Sequence, residues 1–469
     1  MIKIPDMAKR KVGVFGLGAT GVSAAEALVA SGAQVFTFDE SQTARDKTGN
    51  TEYRAEHPKQ WPWKDLSALV LSPGVPLTHP KPHAMVKKAQ SEGVEIIGDI
   101  ELFARSLNAI PENQRPKVVA VTGSNGKSTT TALIGRILKE AGLTAAVGGN
   151  IGLPALSLAA PAPDAVYVLE LSSFQLDLCS SLRANAAVML NLSPDHLDRH
   201  GDMAGYAASK KRIFLNQRPE DWAIVGVDDP LSQAMCAELS VGGKASVAPV
   251  SAEGALGRGV FALAGKLFYN LDGKTGEAGD ISGVASLRGQ HNWQNAAAAL
   301  AAAIAMGVSP AVAVRLMERF EGLAHRMEIV GRIGRVLYVN DSKATNADAA
   351  SRALKSYDDI YWIAGGKPKE GGIESLRPLM QKVRGAYLIG EAAKAFEAEL
   401  AGAVPCIQCG DLAAATARAS RDAATSGTDA PVVLLSPACA SYDQFKNFEE
   451  RGEIFKRIVQ KAARAGEAA

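Results

Sequence analysis

The run Gly123-Ser124-Asn125-Gly126-Lys127-Ser128-Thr129 combines the groups that hold a nucleoside triphosphate. Gly123 and Gly126 let backbone N–H groups turn inward around phosphate oxygens. A helix starting near Lys127 would aim its N-terminus at the same anion. Lys127 supplies a point charge for the β- and γ-phosphates, and the Ser128 hydroxyl a ligand for Mg2+. The spacing is a shortened form of the P-loop GxxxxGK[ST]. A glycine-rich turn could mimic it, but a strand reads directly before it, over Val118–Val121, and a helix directly after it. The chemistry implied is ATP binding.

Three further groups of residues could act on or around a nucleotide. Gly16-x-Gly18-x-x-Gly21 follows a strand and opens a helix, with Asp39 at the end of the next strand. That pattern places a diphosphate-bearing nucleotide at a helix N-terminus and leaves open which one, NAD and FAD included. Glu170, in Val168-Leu169-Glu170-Leu171-Ser172-Ser173, ends an apolar strand where a carboxylate can hold Mg2+ directly or through water. Asp195-His196-Leu197-Asp198-Arg199-His200 follows the next strand. It reads as an exposed loop, a Mg2+ ligand or a substrate-contacting histidine; a zinc site would need further His or Cys nearby. Lys210 and Lys211 read by default as a basic helix face. Cys406-Ile-Gln-Cys409 has CxxC spacing but no second cysteine pair and reads as a coincidence.

The elements that must position these groups alternate. Short β-branched runs at Lys11–Phe15, Gln34–Phe38, Ser67–Leu71, Ala165–Leu171, Ala186–Leu190, Trp222–Val227, Arg335–Val339, Ile360–Ala364, Ala386–Ile389 and Val432–Leu435 are separated by Ala/Leu-rich amphipathic stretches. This is the pattern of βαβ units and parallel sheets. Asn108–Lys117, with Pro111 and Pro116, reads as a linker, Ala252–Gly283 as small β-structure or turns, and the tail after Ile458 as fraying. The fold expected is α/β with three domains in series: a Rossmann-like domain over 1–110, a central P-loop domain over 111–322 and a Rossmann-like domain over 323–469. Such domains can close on ligands by hinge motion.

Composition narrows the partners. The 469 residues carry 51 Lys plus Arg against 49 Asp plus Glu, a net charge of +2, so global charge makes no case for nucleic acid or an anionic membrane. No apolar run reaches the roughly 18–20 residues of a membrane span, and residues 1–10 lack the apolar core of a secretory signal. Five scattered cysteines suit reduced thiols in a cytoplasm.

Taken together, the motifs resemble the Mur ligases of peptidoglycan synthesis, and among them the branch that adds D-glutamate. The matching segments span the chain: the Gly16 and Gly123 motifs, Ser72-Pro73-Gly74, Gly98 to Phe103, Gly149-Asn150-Ile151-Gly152, Glu170 to Gln175, Asp195 to Arg199, His291 to Ala296, His325-Arg326, Asp341-Ser342-Lys343-Ala344-Thr345-Asn346, and Ser436 to Ser441 running on to Phe448-Glu449. The resemblance implies that ATP phosphorylates the alanyl carboxylate of UDP-N-acetylmuramoyl-L-alanine and that the amine of D-glutamate displaces phosphate. It implies that the first domain holds UDP rather than NAD, through Thr20, Asp39 and Ser72, with Asn150, Ser172 and His196 on the rest of that substrate. Asn292, Asn295, Arg326 and Asp341 would join the P-loop around ATP. Lys343, Thr345, Lys369, Ser441 and Phe448 would frame D-glutamate. Ser128, Glu170, His196 and Lys210 would hold Mg2+ at two sites, with Lys210 carbamylated by CO2; Lys127, His196 and Lys210 would be the catalytic groups of a monomeric enzyme. Lys211 beside Lys210 and Lys367 beside Lys369 offer alternatives. Glu40 departs from the small hydroxyl residue of the best-known relatives. A folylpolyglutamate synthase would share the P-loop but not a full βαβ domain before it. A nucleotide sensor without ligase activity would leave Glu170, His196 and Lys210 without a task.

Overall fold

The computed structural model describes residues 2–47, 53, 55–368 and 371–467; Lys369 lies outside them. The chain forms two compact units, Met1–Ile281 with Trp293–Arg319, and Ser282–Asn292 with Phe320–Ala469.

The first unit holds two sheets. Strands β1 (Lys11–Phe15), β2 (Gln34–Phe38), β3 (Leu66–Leu71) and β4 (Glu95–Ile97) form a parallel sheet in the order β2-β1-β3-β4. The second sheet is built from β5 (Lys117–Thr122), β6 (Ala145–Gly149), β7 (Val166–Glu170), β8 (Ala186–Met189), β9 (Trp222–Gly226), β10 (Ser246–Ser251), β11 (Gly259–Leu263), β12 (Lys266–Leu271) and β13 (Lys274–Asp280). Its order is β13-β12-β11-β10-β9-β8-β5-β7-β6, parallel except for the antiparallel β11-β12-β13 meander. β5 lies between β7 and β8, and Val118 through Thr122 are all buried. Helices cover both faces of such a strand, so it reads as a continuous apolar run. That is why it was visible beside the P-loop. The Gly-rich stretch after Ala252, expected as small β-structure or turns, holds the meander that extends the sheet.

The two sheets share one core. Val12, Val14 and Leu28 pack in the same cluster as Ala120, Leu169 and Met189, and Phe103 meets Tyr167 edge-on at 5.1 Å. The segment read as a linker therefore joins two parts of one compact unit; it carries only a short turn, Glu112–Gln114. Glu101 locks the joint. Its buried carboxylate accepts N–H groups of Ser180 (2.8 Å) and Ser181 (3.0 Å), the Ser181 hydroxyl (2.8 Å) and Arg105 Nε (2.9 Å). Burial alone would raise its pKa, but donation by Ser180, Arg105 and Ser181 outweighs burial and holds the carboxyl below its usual range.

The second unit is one sheet of β14 (Glu328–Ile333), β15 (Val336–Asn340), β16 (Ile360–Gly365), β17 (Val383–Ile389), β18 (Cys406–Gly410) and β19 (Val432–Leu435). Its order is β14-β15-β19-β16-β17-β18, with β14 antiparallel to β15 and the rest parallel. One face buries Trp362, Val339 and Leu434; the other buries Ile363, Tyr387 and Leu435 against Phe455. Cys406 and Cys409 pack against opposite faces, so the CxxC pair does not converge. The tail after Ile458, expected to fray, continues the helix Phe448–Glu467. No helix among the described residues is long and apolar enough to cross a membrane.

Glu101→Ala should lower the stability of the first unit at pH 7 by about 2–3 kcal/mol, the scale of a buried charge-assisted network. Because the folded pKa is depressed, this contribution is present above the unfolded carboxylate value and lost as pH falls through the folded one. Denaturant unfolding should show the gap between wild type and variant narrowing towards pH 3.

Candidate active site

The phosphate loop sits where β5 ends, between the ends of its neighbours. Gly123 and Gly126 take φ of +149° and +84°, the region that favours glycine. A Cβ on Gly126 would lie 2.3 Å from Asn295 Oδ1, so the glycine also admits the side chain of the helix Gln290–Ala305. The loop is braced from the end of β8. Asn191 takes the Ser124 N–H on its carbonyl and the Asn125 N–H on its Oδ1, both at 2.9 Å. The Ser124 hydroxyl donates to the Ser193 carbonyl (3.0 Å) and accepts the Ser193 N–H (2.9 Å). The helix Lys127–Glu140 then starts with Ser128 and Thr129 buried in its first turn.

Two lysines and one carboxylate surround the loop. Lys127 Nζ donates to the carbonyls of Gly123 and Ser124, both at 2.9 Å. Lys210 Nζ, from the helix Met203–Lys211, donates to the same Gly123 carbonyl at 2.9 Å and lies 4.6 Å from the centre of the Tyr206 ring. Lys210 is 1 % exposed; burial, and then the like charge of Lys127, push its pKa well below the usual lysine range. Lys211, by contrast, is partly exposed and paired with Glu238. The basic-face reading thus fails for Lys210 and holds for Lys211. Glu170, last in β7, is buried: Oε1 accepts Asn150 Nδ2 at 2.8 Å, and Oε2 is buried without a hydrogen-bond partner. A bare buried carboxylate oxygen is costly unless something charged meets it. Oxygen donors of this kind suit Mg2+.

Phe174 organises the next layer. His196, at φ +55°, packs on it at 4.9 Å between centroids, His200 stacks on it at 5.3 Å and 7°, and the Arg199 guanidinium sits 4.5 Å from its centre. His196 is half-exposed, with Nε2 3.4 Å from Asp195 Oδ2. His200 is buried between the Ser173 hydroxyl (2.9 Å) and Asp177 (3.4 Å). Ser172 caps the helix Ser173–Asp177 in a reciprocal capping box with Gln175. Arg199 reaches back to the first sheet and donates to the carbonyls of Pro73 (3.3 Å), Gly74 (3.0 Å) and Val75 (3.0 Å). The loop after β3 is therefore held by the segment that carries His196.

At the first sheet, Gly16 has φ of +93°, and a Cβ there would lie 2.5 Å from the Ser72 Cβ. The Ser72 hydroxyl donates to the Gly16 carbonyl at 2.8 Å. Thr20 lies in the first turn of the helix Ala19–Ala30, half-buried. Asp39 is used by the protein itself: Oδ2 accepts the Leu17 N–H at 2.6 Å and Oδ1 the Ser41 N–H at 2.7 Å.

In the second unit Arg451 ties together segments that carry Lys343, Ser441 and Phe448, while Lys369 lies outside the described residues. Lys343 Nζ lies 5.5 Å from the centre of the Phe448 ring. Arg451, fully buried, donates to Ser342 Oγ (2.9 Å) and to the carbonyls of Ser342 (2.8 Å), Cys439 (3.1 Å) and Ala440 (3.4 Å). One guanidinium so ties the Lys343–Thr345 segment to the segment carrying Ser441. Lys367 N–H donates to the Ala440 carbonyl at 2.9 Å. Asp341 is buried, taking the Met327 N–H (3.1 Å) and the Ser436 hydroxyl (2.8 Å); burial raises its pKa to about 7 against these donors and Arg326. Arg326 Nε is buried without a hydrogen-bond partner. Asn292 Nδ2 donates to the Arg288 carbonyl at 2.9 Å. Asn292 belongs to this second unit and Asn295 to the first.

Three family models cover the chain in order: the MurD-like N-terminal domain over residues 10–98, the Mur ligase middle domain over 121–303, and the Mur ligase glutamate ligase domain over 325–439. The chain is 55% identical over 459 residues to the UDP-N-acetylmuramoylalanine–D-glutamate ligase of Caulobacter sp. strain K31, covering 98% of each chain. The chain belongs to the Mur ligase family. The ligase of the same name from Phenylobacterium zucineum is 52% identical over 463 residues, 99% of this chain and 98% of its own. Among solved structures, the UDP-N-acetylmuramate-alanine ligase MurC from Thermotoga maritima shares the fold at a TM-score of 0.57 and 18% identity, covering 97% of this chain and 99% of its own.

In this Mur ligase, sequence reasoning missed Asn191, Arg199 and Arg451. Asn191 and Arg199 lay in or beside motifs already noticed, but their work is on backbone carbonyls and N–H groups, which residue spacing does not reveal. Arg451 likewise acts on backbone carbonyls and the Ser342 hydroxyl, and no motif contained it.

Asp341→Asn should flatten one slope of stability against pH. With a folded pKa of about 7 above the unfolded value, the native state binds the extra proton between about pH 4 and 7. Wild type therefore loses stability as pH rises through that window. Urea unfolding at pH 5 and pH 8 should show the second unit of the variant losing less on going up.

Proposed function

We propose that this Mur ligase is an ATP-dependent UDP-N-acetylmuramoyl-L-alanine–D-glutamate ligase that works in the cytoplasm, as a monomer, in peptidoglycan precursor synthesis. The observation that carries the reading is the full-length identity of 55% to a ligase of that name. The proposed division is 1–110 for the UDP substrate, 111–322 for ATP and 323–469 for the amino acid. No nucleic acid or membrane takes part.

The site supports acyl-phosphate chemistry. An oxygen of the alanyl carboxylate attacks the γ-phosphorus, the bond to the β-phosphate oxygen breaks, and ADP leaves. The N–H groups of Gly123 to Thr129 and the ammonium of Lys127 hold the charge that shifts onto ADP. The D-glutamate amine then attacks the acyl carbon, and the tetrahedral intermediate expels phosphate to leave an amide. Acyl phosphates hydrolyse, so burial around Glu170 and Lys210 also serves to keep water out.

Mg2+ at two sites would neutralise phosphate charge, held by Ser128, Glu170, His196 and the modified Lys210. The unpartnered Glu170 Oε2 supports a cation at that point. Lys210 is favoured over Lys211 for carbamylation because its buried amine gives up its proton readily. The nitrogen lone pair attacks the carbon of CO2, an electron pair moves to oxygen and the nitrogen loses a proton. A cation thereby becomes an oxygen-donor anion. Thr20, Asp39, Ser72, Asn150, Ser172 and His196 would serve the UDP substrate; Asn292, Asn295, Arg326 and Asp341 would serve ATP. Lys343, Thr345, Ser441 and Phe448 would frame D-glutamate, with Lys369 assigned by spacing alone.

Phosphate release should require UDP-N-acetylmuramoyl-L-alanine and D-glutamate together. Release with L-glutamate or a folate in place of these would sink the assignment. Lys127→Ala should lower turnover by at least about a thousandfold, the upper range for a lost charge stabiliser. It should leave binding of the UDP substrate nearly unchanged, and loss of that binding would contradict separate sites for the two nucleotides.

A further inference from the structure

Asp229, shortly after β9, uses its two carboxylate oxygens for different tasks. Oδ1 accepts the Ser232 N–H at 2.8 Å and so caps the helix Pro230–Gly242. Oδ2 accepts the Leu192 N–H at 3.0 Å. Its neighbour Asp228 turns elsewhere, to the Ser251 hydroxyl, the Ala252 N–H and Gln294 Nε2. The cap alone does not call for an aspartate, because serine caps a helix about as well. What serine lacks is a second oxygen, and in Asp229 the second oxygen goes to Leu192.

That contact opens a line of hydrogen bonds. The Leu192 N–H and the Asn191 carbonyl belong to one planar peptide group and point in opposite directions. The Asn191 carbonyl accepts the Ser124 N–H at 2.9 Å. The Ser124 N–H and the Gly123 carbonyl form the next such group. The Gly123 carbonyl accepts Lys127 Nζ and Lys210 Nζ, both at 2.9 Å. Two peptide groups thus stand head to tail between one carboxylate and two lysines. Every donor in the line faces the same way, so the peptide dipoles add. Their negative end meets the lysines and their positive end the carboxylate. Asn191 and Ser124 are buried, which keeps water from screening the line.

We propose that Asp229 is a positioning residue for Lys127 and Lys210, acting through these two peptide groups on the carbonyl that receives both. The proposal rests on the reading of the loop as the ATP site and extends it to a residue outside every motif that marks that site. Fixing the Leu192 N–H fixes the Asn191 carbonyl, because the peptide plane is rigid. The Asn191 carbonyl in turn sets the tilt of the Gly123–Ser124 peptide. Gly123, at φ of +149°, has no Cβ to hold that tilt, so hydrogen bonds must hold it. Negative charge at the far end also makes the Gly123 oxygen a better acceptor for the two lysines.

The test compares Asp229→Ser with Asp229→Ala in the full chain. Calorimetry reads the binding of a non-hydrolysable ATP analogue with Mg2+, and thermal unfolding reads the cap. Asp229→Ser keeps the cap and loses Leu192. It should unfold near the wild-type temperature yet bind the analogue about tenfold more weakly, the scale of a hydrogen bond to a charged group. Asp229→Ala loses the cap as well and should unfold earlier, but should bind no more weakly than Asp229→Ser. In a Lys127→Ala background, Asp229→Ser should change affinity by a much smaller factor than in wild type. Wild-type affinity in Asp229→Ser, or affinity that falls only in step with the unfolding temperature, would overturn the proposal. So would an equal factor with and without Lys127. If wild type itself does not bind the analogue, the ATP reading of the loop falls and the proposal falls with it.

Discussion

One carbonyl oxygen, that of Gly123, receives the ammonium groups of both Lys127 and Lys210 at 2.9 Å. Two cations on one acceptor inside a protein cannot both keep their charge cheaply, and Lys210, the more buried, is the one pushed towards the neutral amine. The surrounding groups are consistent with that division. In the proposed reaction Lys127 is the charge that meets phosphate and Lys210 the amine that CO2 modifies. Glu170 Oε2, buried nearby, is an acceptor left without a donor.

The architecture exists to hold this arrangement still. Gly123 can offer its carbonyl in that direction only because φ of +149° is open to glycine, and the loop keeps its shape because Asn191 and Ser193 brace it from the neighbouring strand. Lys210 arrives on a helix whose Tyr206 hydroxyl lies 3.2 Å from Ser124 Oγ. The first sheet is tied in through Arg199, which grips the loop after β3 from the segment that carries His196. In the second unit, Arg451 does the same for the segments carrying Lys343 and Ser441.

Much of this was legible because buried parallel strands announce themselves. β1, β2, β5, β8, β16 and β19 are apolar runs that end at glycine or polar turns, and the motif residues sit on those ends. Short or partly exposed strands were not legible: Glu95–Ile97, Ala145–Gly149 and Cys406–Gly410 are too brief or too rich in small and polar residues to alternate clearly. Residue type also misled where context decides. Lys210 read by default as part of a basic helix face until its burial was known. Arg199 and Arg451 act on carbonyls, which every residue possesses, so no spacing rule could have singled them out.

The proposed reaction depends on where the γ-phosphate goes. The most direct measurement uses UDP-N-acetylmuramoyl-L-alanine labelled with 18O in the alanyl carboxylate, with ATP and D-glutamate in unlabelled water, and analyses the released phosphate by mass. Transfer to the carboxylate predicts one 18O from the substrate in each phosphate formed with product. Phosphate that carries no substrate oxygen while the amide still forms would contradict it.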